Sequence, residues 1–322
     1  MEKHWQIMQV REMEGDPVPD THGLGQPGPG QVLVRMHAAA LNFADLLMAQ
    51  GRYQETPPLP FIPGLEGAGE ILAVGPEVSL TPGTRVAVQA QGTMAEANLF
   101  PASRCYPIPE GMTYEEAAGF LVAYGTSHLA LTHLARLQAG QTLVVLGAAG
   151  GVGLTAVEIG AALGARVIAV ARGKDKLQIT REVGASDTLD SDDCPDLLAA
   201  LREMGGVDVV YDPVGGALAE QAFAALRPGG RFLLIGFASG KPPVLPLNHA
   251  LVKNIAIHGL YWGGYHQLDP DTLNKDIQAL FDLYRAGKLH PHAGAVVKLQ
   301  NLKDGYDLLR NRKATGKVIV SI

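Results

Sequence analysis

Cysteine is scarce in this chain: two in 322 residues, Cys105 and Cys194, far apart and outside any paired motif. That excludes a disulfide framework and a Cys-rich zinc site, and it predicts a reducing, cytoplasmic setting. Aromatic residues make up 6% of the chain, and no block of Lys and Arg interrupts a formal charge of −6. So few stacking rings and so little concentrated positive charge argue against a nucleic-acid partner. The opening MEKHWQIMQVREMEGDP is charged throughout and lacks the apolar segment of a signal peptide. The longest apolar region, 143–171, contains six glycines together with Glu158 and Arg166. It therefore divides into strand, loop, helix and strand, and no membrane partner is expected.

What is present is apolar material for two cores, 47% of the residues. The first third is β-rich: QVLVRMHAAALN, GAGEILAVG and GTRVAVQA are short apolar runs separated by turns such as GQPGPGQ and SLTPGT. A helix is predicted to begin at TYEEAAGF, where Thr113 and Glu116 have capping-box spacing. From about Thr126 strands and helices alternate. Strands are predicted at 142–146, 166–170, 207–211, 231–235 and 255–260, with helices at 154–163 and 217–226 among them. This is the pattern of an α/β fold whose parallel sheet is covered on both faces. After Trp262 a polar helix, LNKDIQALFDLYRAGKL, leads to a last strand in GKVIVSI.

The stretch VVLGAAGGVGLTAVEIG joins a strand to a helix through clustered glycines. Against the dinucleotide fingerprint G-x-G-x-x-G, the positions are Ala148, Ala149, Gly150, Gly151, Val152 and Gly153. Gly150 leaves room for a pyrophosphate, Gly153 lets the helix pack on the strand, and the helix N-terminus offers free N–H groups to phosphate oxygens. At the end of the next strand an NAD enzyme places an acid for the ribose 2′-hydroxyl. This chain has Ala171, Arg172, Gly173, Lys174 and Lys176, cations suited to a 2′-phosphate. NADPH is the expected coenzyme.

With NFADLLMAQGRY, PPLPFIPGLEGAGE, GAAGGVG, YDPVGG and KATGKVIV in order along essentially its whole length, the chain resembles the quinone oxidoreductase (zeta-crystallin-like) branch of the medium-chain dehydrogenase/reductase superfamily. The resemblance implies a GroES-like catalytic domain from 1–125 and 263–322, a Rossmann NADPH-binding domain from 126–262, and a cofactor between them. Zinc enzymes of the superfamily carry Cys where this chain has Asn42, and GHE where it has Gly64, Leu65 and Glu66. Leu65 cannot ligate and Asn42 is a poor zinc ligand. The Cys-rich structural lobe is missing too, and the close pair His290 and His292 reads as a surface loop, so no metal is expected.

Without a metal to activate an alcohol, substrates that accept hydride readily are favoured: quinones, or double bonds conjugated to a carbonyl. The resemblance puts Asn42 and Tyr53 beside the nicotinamide as candidate catalytic residues. It puts Thr126, Val214, Phe237 and Lys317 near the cofactor, and Tyr261 and Trp262 on the substrate side. Where related enzymes often have a Tyr near the third strand, this chain reads SDTLDSDD with Asp190, leaving Arg172, Lys174 and Lys176 as phosphate anchors. Alternatives are an enoyl-thioester reductase, or a non-catalytic NADPH-binding, crystallin-like protein; a zinc alcohol dehydrogenase is a weaker third. The strand in NIAIHGLYW is expected at the sheet's outer edge, where the family commonly forms a homodimer.

Overall fold

A computed structural model describes residues 4–322. They form two compact units, one from residues 4–122 with 291–322 and the other from Ala123–His290, the boundary falling inside the helix Leu121–His128.

The first unit is a mainly antiparallel sheet. Its order is Ala293–Lys298, Lys317–Ser321, Gln31–Leu41, Glu66–Val74, Arg85–Val88, Cys105–Pro107, with Ala97–Pro101 also pairing Gln31–Leu41. The last strand of the chain thus lies beside one of the first, with Val318 opposite Leu41 and Ile319 opposite Ala40. Apolar clusters fill the unit, among them one around Val34, Ile71 and Phe100 and another around Leu41, Met94 and Tyr306. The predicted capping box is present: Glu116 N donates to Thr113 Oγ1 at 3.1 Å, and Thr113 N donates to Glu116 Oε2 at 2.8 Å.

The second unit holds a six-stranded parallel sheet in the order Asp187–Asp190, Arg166–Ala171, Thr142–Leu146, Val207–Asp212, Leu226–Leu234, Ala256–Gly259. This is the doubly wound order of a Rossmann fold, and it reverses between Thr142–Leu146 and Val207–Asp212, where such sheets bind ligands. Thr142–Leu146 is buried along its whole length, as expected of a strand covered on both faces. The predicted strands agree to within a residue or two, except that Leu226–Leu234 starts five residues early. The edge position predicted for the NIAIHGLYW strand is occupied by Ala256–Gly259.

Residues 263–290 differ from expectation, since they belong with this second unit. The reason is the helix Pro270–Arg285, which buries Leu273, Ile277, Leu280 and Phe281. Its Asp276 Oδ1 also lies 2.5 Å from His128 Nδ1. Among the described residues no helix is long and apolar enough to cross a membrane.

Candidate active site

In the first unit, strand register gathers three residues far apart in sequence. Val318 faces Leu41 and Ala40 faces Glu66 across neighbouring strands, so Lys317, Asn42 and Glu66 meet where the central strand ends. Lys317 Nζ donates to Asn42 Oδ1 at 2.7 Å, to Glu66 Oε1 at 2.7 Å and to Leu41 O at 3.0 Å. An ammonium has three donors, and all three are engaged within this cluster. Lys317, a candidate cofactor contact, thus commits its ammonium to residues of its own unit.

Asn42 Nδ2 donates to the same Glu66 Oε1 at 3.0 Å, and Val122 N donates to Glu66 Oε2 at 2.9 Å. The fully buried Glu66 is therefore saturated by a cation, an amide and a backbone N–H. Asn42 also begins the helix Phe43–Ala49, where the Asp45 carboxylate accepts from Asn42 N at 2.7 Å. Asp45 accepts from Gly64 N at 3.2 Å as well. Burial pushes Asp45 up to about 7 despite these donors and nearby Lys317. Leu65, standing where a zinc-binding His would be, packs against the cluster Val10, Met48, Ala49 and Phe61, as does Tyr53. Tyr53 is partly exposed and lies just beyond the helix that Asn42 opens.

In the second unit the glycine stretch forms a tight turn into the helix Gly151–Ala162, with Gly150 at the N-cap and no side chain capping it. The turn is made by Gly147, not by Ala148: Gly147 has φ +57°, and a Cβ there would lie 2.8 Å from Val214 Cγ2. A Cβ on Gly153 would lie 2.2 Å from Gly147 O, so that glycine provides the close packing expected of it. A Cβ on Gly150 would meet only Gly147 O, at 3.3 Å. Ala149, Gly151 and Val152 complete the loop and the first helical turn.

At the next strand end, the fully buried Asp212 accepts from Val214 N and Gly215 N, each at 2.8 Å, and burial pushes its carboxyl upward. That pins Val214 beside the glycine turn. A Cβ on Gly215 would lie 3.2 Å from Phe237 Cδ1, which places the exposed Phe237 at the same sheet edge. A hydroxyl cluster lies beneath the loop, and no local sequence pattern marks it. Ser127 Oγ lies 2.8 Å from Thr155 Oγ1 and 2.9 Å from Tyr211 Oη, and it donates to Val152 O at 2.9 Å. It ties the helix bearing Thr126 to the loop; AYGTSH and YDPVGG carry two of its members.

The basic turn is braced by acids. Gly173 N donates to both oxygens of Asp190 at 3.1 Å, and Arg172 Nε lies 3.1 Å from Asp192 Oδ1. Lys176, in the first turn of the helix Lys174–Glu182, is held below the usual lysine range by partial burial and by the charge of Arg172. Of the two candidate substrate-side residues, Trp262 is buried and Tyr261 is exposed. Trp262 is 4% exposed and sits over Gly125, where a Cβ would meet the indole at 2.5 Å, whereas Tyr261 remains 44% exposed.

A family model described as Alcohol dehydrogenase GroES-like domain matches residues 28–144, and one described as Zinc-binding dehydrogenase matches residues 151–282. The chain is 38% identical to the Quinone oxidoreductase-like protein 2 homolog of Nematostella vectensis over 301 residues, covering 91% of this chain and 82% of that protein. Among solved structures, mycobacterial Rv1454c complexed with NADPH superposes with a TM-score of 0.91 at 28% identity, covering 99% of this chain and 100% of that one. The quinone oxidoreductase from Thermus thermophilus, solved alone and with NADPH, gives a TM-score of 0.84 at 30% identity, with 98% and 100% covered.

Proposed function

The chain belongs to the zinc-independent quinone oxidoreductase branch of the medium-chain dehydrogenase/reductase superfamily, and from that premise we propose that it is an NADPH-dependent reductase of quinones or α,β-unsaturated carbonyl compounds. The observation that carries the reading is the glycine turn with its uncapped helix N-terminus, one strand away from Arg172 and Lys176. An uncapped N-terminus leaves backbone N–H groups for a pyrophosphate, and two neighbouring cations suit a 2′-phosphate. Lys176, destabilised as a cation by partial burial and by Arg172, gains from an anion placed between the two. NADPH is named for the mycobacterial and Thermus structures, and these residues fit it.

When bound, the coenzyme supplies hydride. The protein's part is to orient the acceptor and to stabilise the negative charge that builds on its oxygen. Asn42 and Tyr53 are the groups assigned to that oxygen. A metal-polarised alcohol is disfavoured by the residues themselves: Leu65 has no ligand atom, and Glu66 is committed to Lys317. The exposed edge of Ala256–Gly259 and the apolar side chains before it are assigned to a homodimer contact, and the protein to the cytoplasm.

The test follows nicotinamide absorbance with menadione, an enone and an enoyl-CoA series. NADPH oxidation with menadione or the enone is expected. Oxidation with enoyl-CoA alone would make it a thioester reductase, and none with any acceptor would overturn the catalytic reading.

A further inference from the structure

We infer that Lys317 and Glu66 are positioning residues that fix the side-chain amide of Asn42, so that it meets the substrate oxygen with an N–H and never with its carbonyl. The inference rests on the reading of Asn42 as a substrate contact and specifies what that contact is.

A free asparagine amide turns over readily and offers either an acceptor or two donors. Here Lys317 Nζ, 2.7 Å from Oδ1, is a donor only, so the atom it meets must be the carbonyl oxygen. The other terminal atom of the amide, Nδ2, meets Glu66 Oε1 at 3.0 Å, an acceptor when ionised. Both contacts demand the same orientation, and both partners are nearly fully buried, with side-chain exposures of 9% for Lys317 and 1% for Glu66. Their positions are set by strand register, since Lys317 and Glu66 belong to two strands that pair with Gln31–Leu41, the strand that ends just before Asn42.

One hydrogen of Nδ2 is then used by Glu66. Among the described residues the second has no acceptor, and Asn42 is partly exposed. The cluster thus presents a single outward donor, polarised from behind by an ammonium on the carbonyl of the same amide. Such a donor suits an oxygen that gains negative charge as hydride arrives at a conjugated carbon: an enolate or hydroquinone oxygen. It does not suit an alcohol, which would have to give up a proton to it. A lysine cation here also supplies positive charge close to the reacting oxygen without ligating it.

Two measurements test this. The first uses protein labelled with heavy nitrogen at asparagine, with the Asn42 side-chain amide signals assigned by their loss in Asn42→Ala. Those signals are expected to be dispersed in the wild type and to move to ordinary exposed-amide positions in Lys317→Met. The second is the single-turnover rate of NADPH oxidation by menadione. Lys317→Met is expected to slow it about 10- to 100-fold, the scale of losing a group that orients a reacting residue, with little change in coenzyme affinity. In an Asn42→Ala background the same change is expected to cost nothing further. Losses that multiply, or unchanged amide signals, would overturn the inference. Because Lys317→Met strands a buried Glu66 charge, Lys317→Met/Glu66→Gln is measured beside it to separate misfolding from mispositioning. If wild-type protein reduces no acceptor, the reading of function fails, while the amide signals still decide the positioning.

Discussion

The Arg172 guanidinium holds the Asp192 carboxylate with 3.1 Å between Nε and Oδ1, just beyond the end of the strand Arg166–Ala171. Both side chains are more than half exposed, so the pair adds little to stability and opens readily for a stronger anion. A 2′-phosphate is such an anion. Arg172→Ala and Lys176→Ala are each expected to weaken NADPH binding about tenfold, the scale of one charge-assisted hydrogen bond, and to leave NADH nearly unchanged. Asp192→Asn frees Arg172 and is expected to tighten NADPH binding. Fluorescence titrations with both coenzymes check this, and equal losses for NADH and NADPH would count against a phosphate site.

Asp45 makes stability depend on pH. Its carboxyl titrates near 7 in the folded chain against 3.8 as the ordinary value, chiefly because it is buried, with Asn42, Gly64, Lys317, Glu66 and Tyr306 around it. Between those values the folded chain holds a proton that the unfolded chain has lost. Stability from this group is therefore full below about pH 4 and is lost as pH rises through 7, by an amount on the order of a few kcal/mol. Urea midpoints measured from pH 5 to pH 8 are expected to fall less steeply in Asp45→Asn than in the wild type. Parallel slopes would show that other groups carry the dependence.

The two inner glycines of the loop are expected to fail differently. Gly153→Ala puts a methyl 2.2 Å from the Gly147 carbonyl, a backbone atom that cannot yield without opening the turn. It should cost about 2–3 kcal/mol as overpacking and abolish coenzyme binding. Gly150→Ala meets that carbonyl at 3.3 Å and should fold near normally while obstructing the pyrophosphate's approach. Thermal unfolding with and without NADPH separates the two: a lower melting point for Gly153→Ala, and for Gly150→Ala a normal one that NADPH no longer raises.

Local pattern and non-local register explain which parts of this were legible in the sequence. Apolar runs alternating with helices reveal the parallel sheet, because each strand of such a sheet is apolar along its length. Asp187–Asp190 has no such run, and pattern alone does not predict it as a strand. The glycine motif is legible, but its turn lies one residue earlier than the fingerprint suggests: Gly147 reads as the end of the strand until its positive φ is seen. The inward turn of Lys317 depends on Val318 pairing with Leu41, hundreds of residues away in sequence, and no local signal carries that. Trp262 is likewise fixed by a glycine in a distant helix. Asn42, Leu65 and Glu66 stand out in their motifs, yet the cation that joins Asn42 to Glu66 is visible only in three dimensions.

Ala256–Gly259 ends its sheet, so one side of its backbone has no strand to pair with among the described residues. Just before it, Val244, Leu247, Leu251 and Val252 are 80%, 65%, 79% and 76% exposed, an apolar group out of place on a solvated surface. An open edge beside such a patch invites pairing, and a second copy satisfies both at once through a two-fold axis. Leu251→Asp with Val252→Asp places two charges in that contact and is expected to convert a dimer to a monomer at micromolar concentration. Both side chains are solvent-exposed, so unfolding of the monomer should be little changed. Light scattering on wild type and variant decides it, and a wild-type mass near 34 kDa would rule the dimer out.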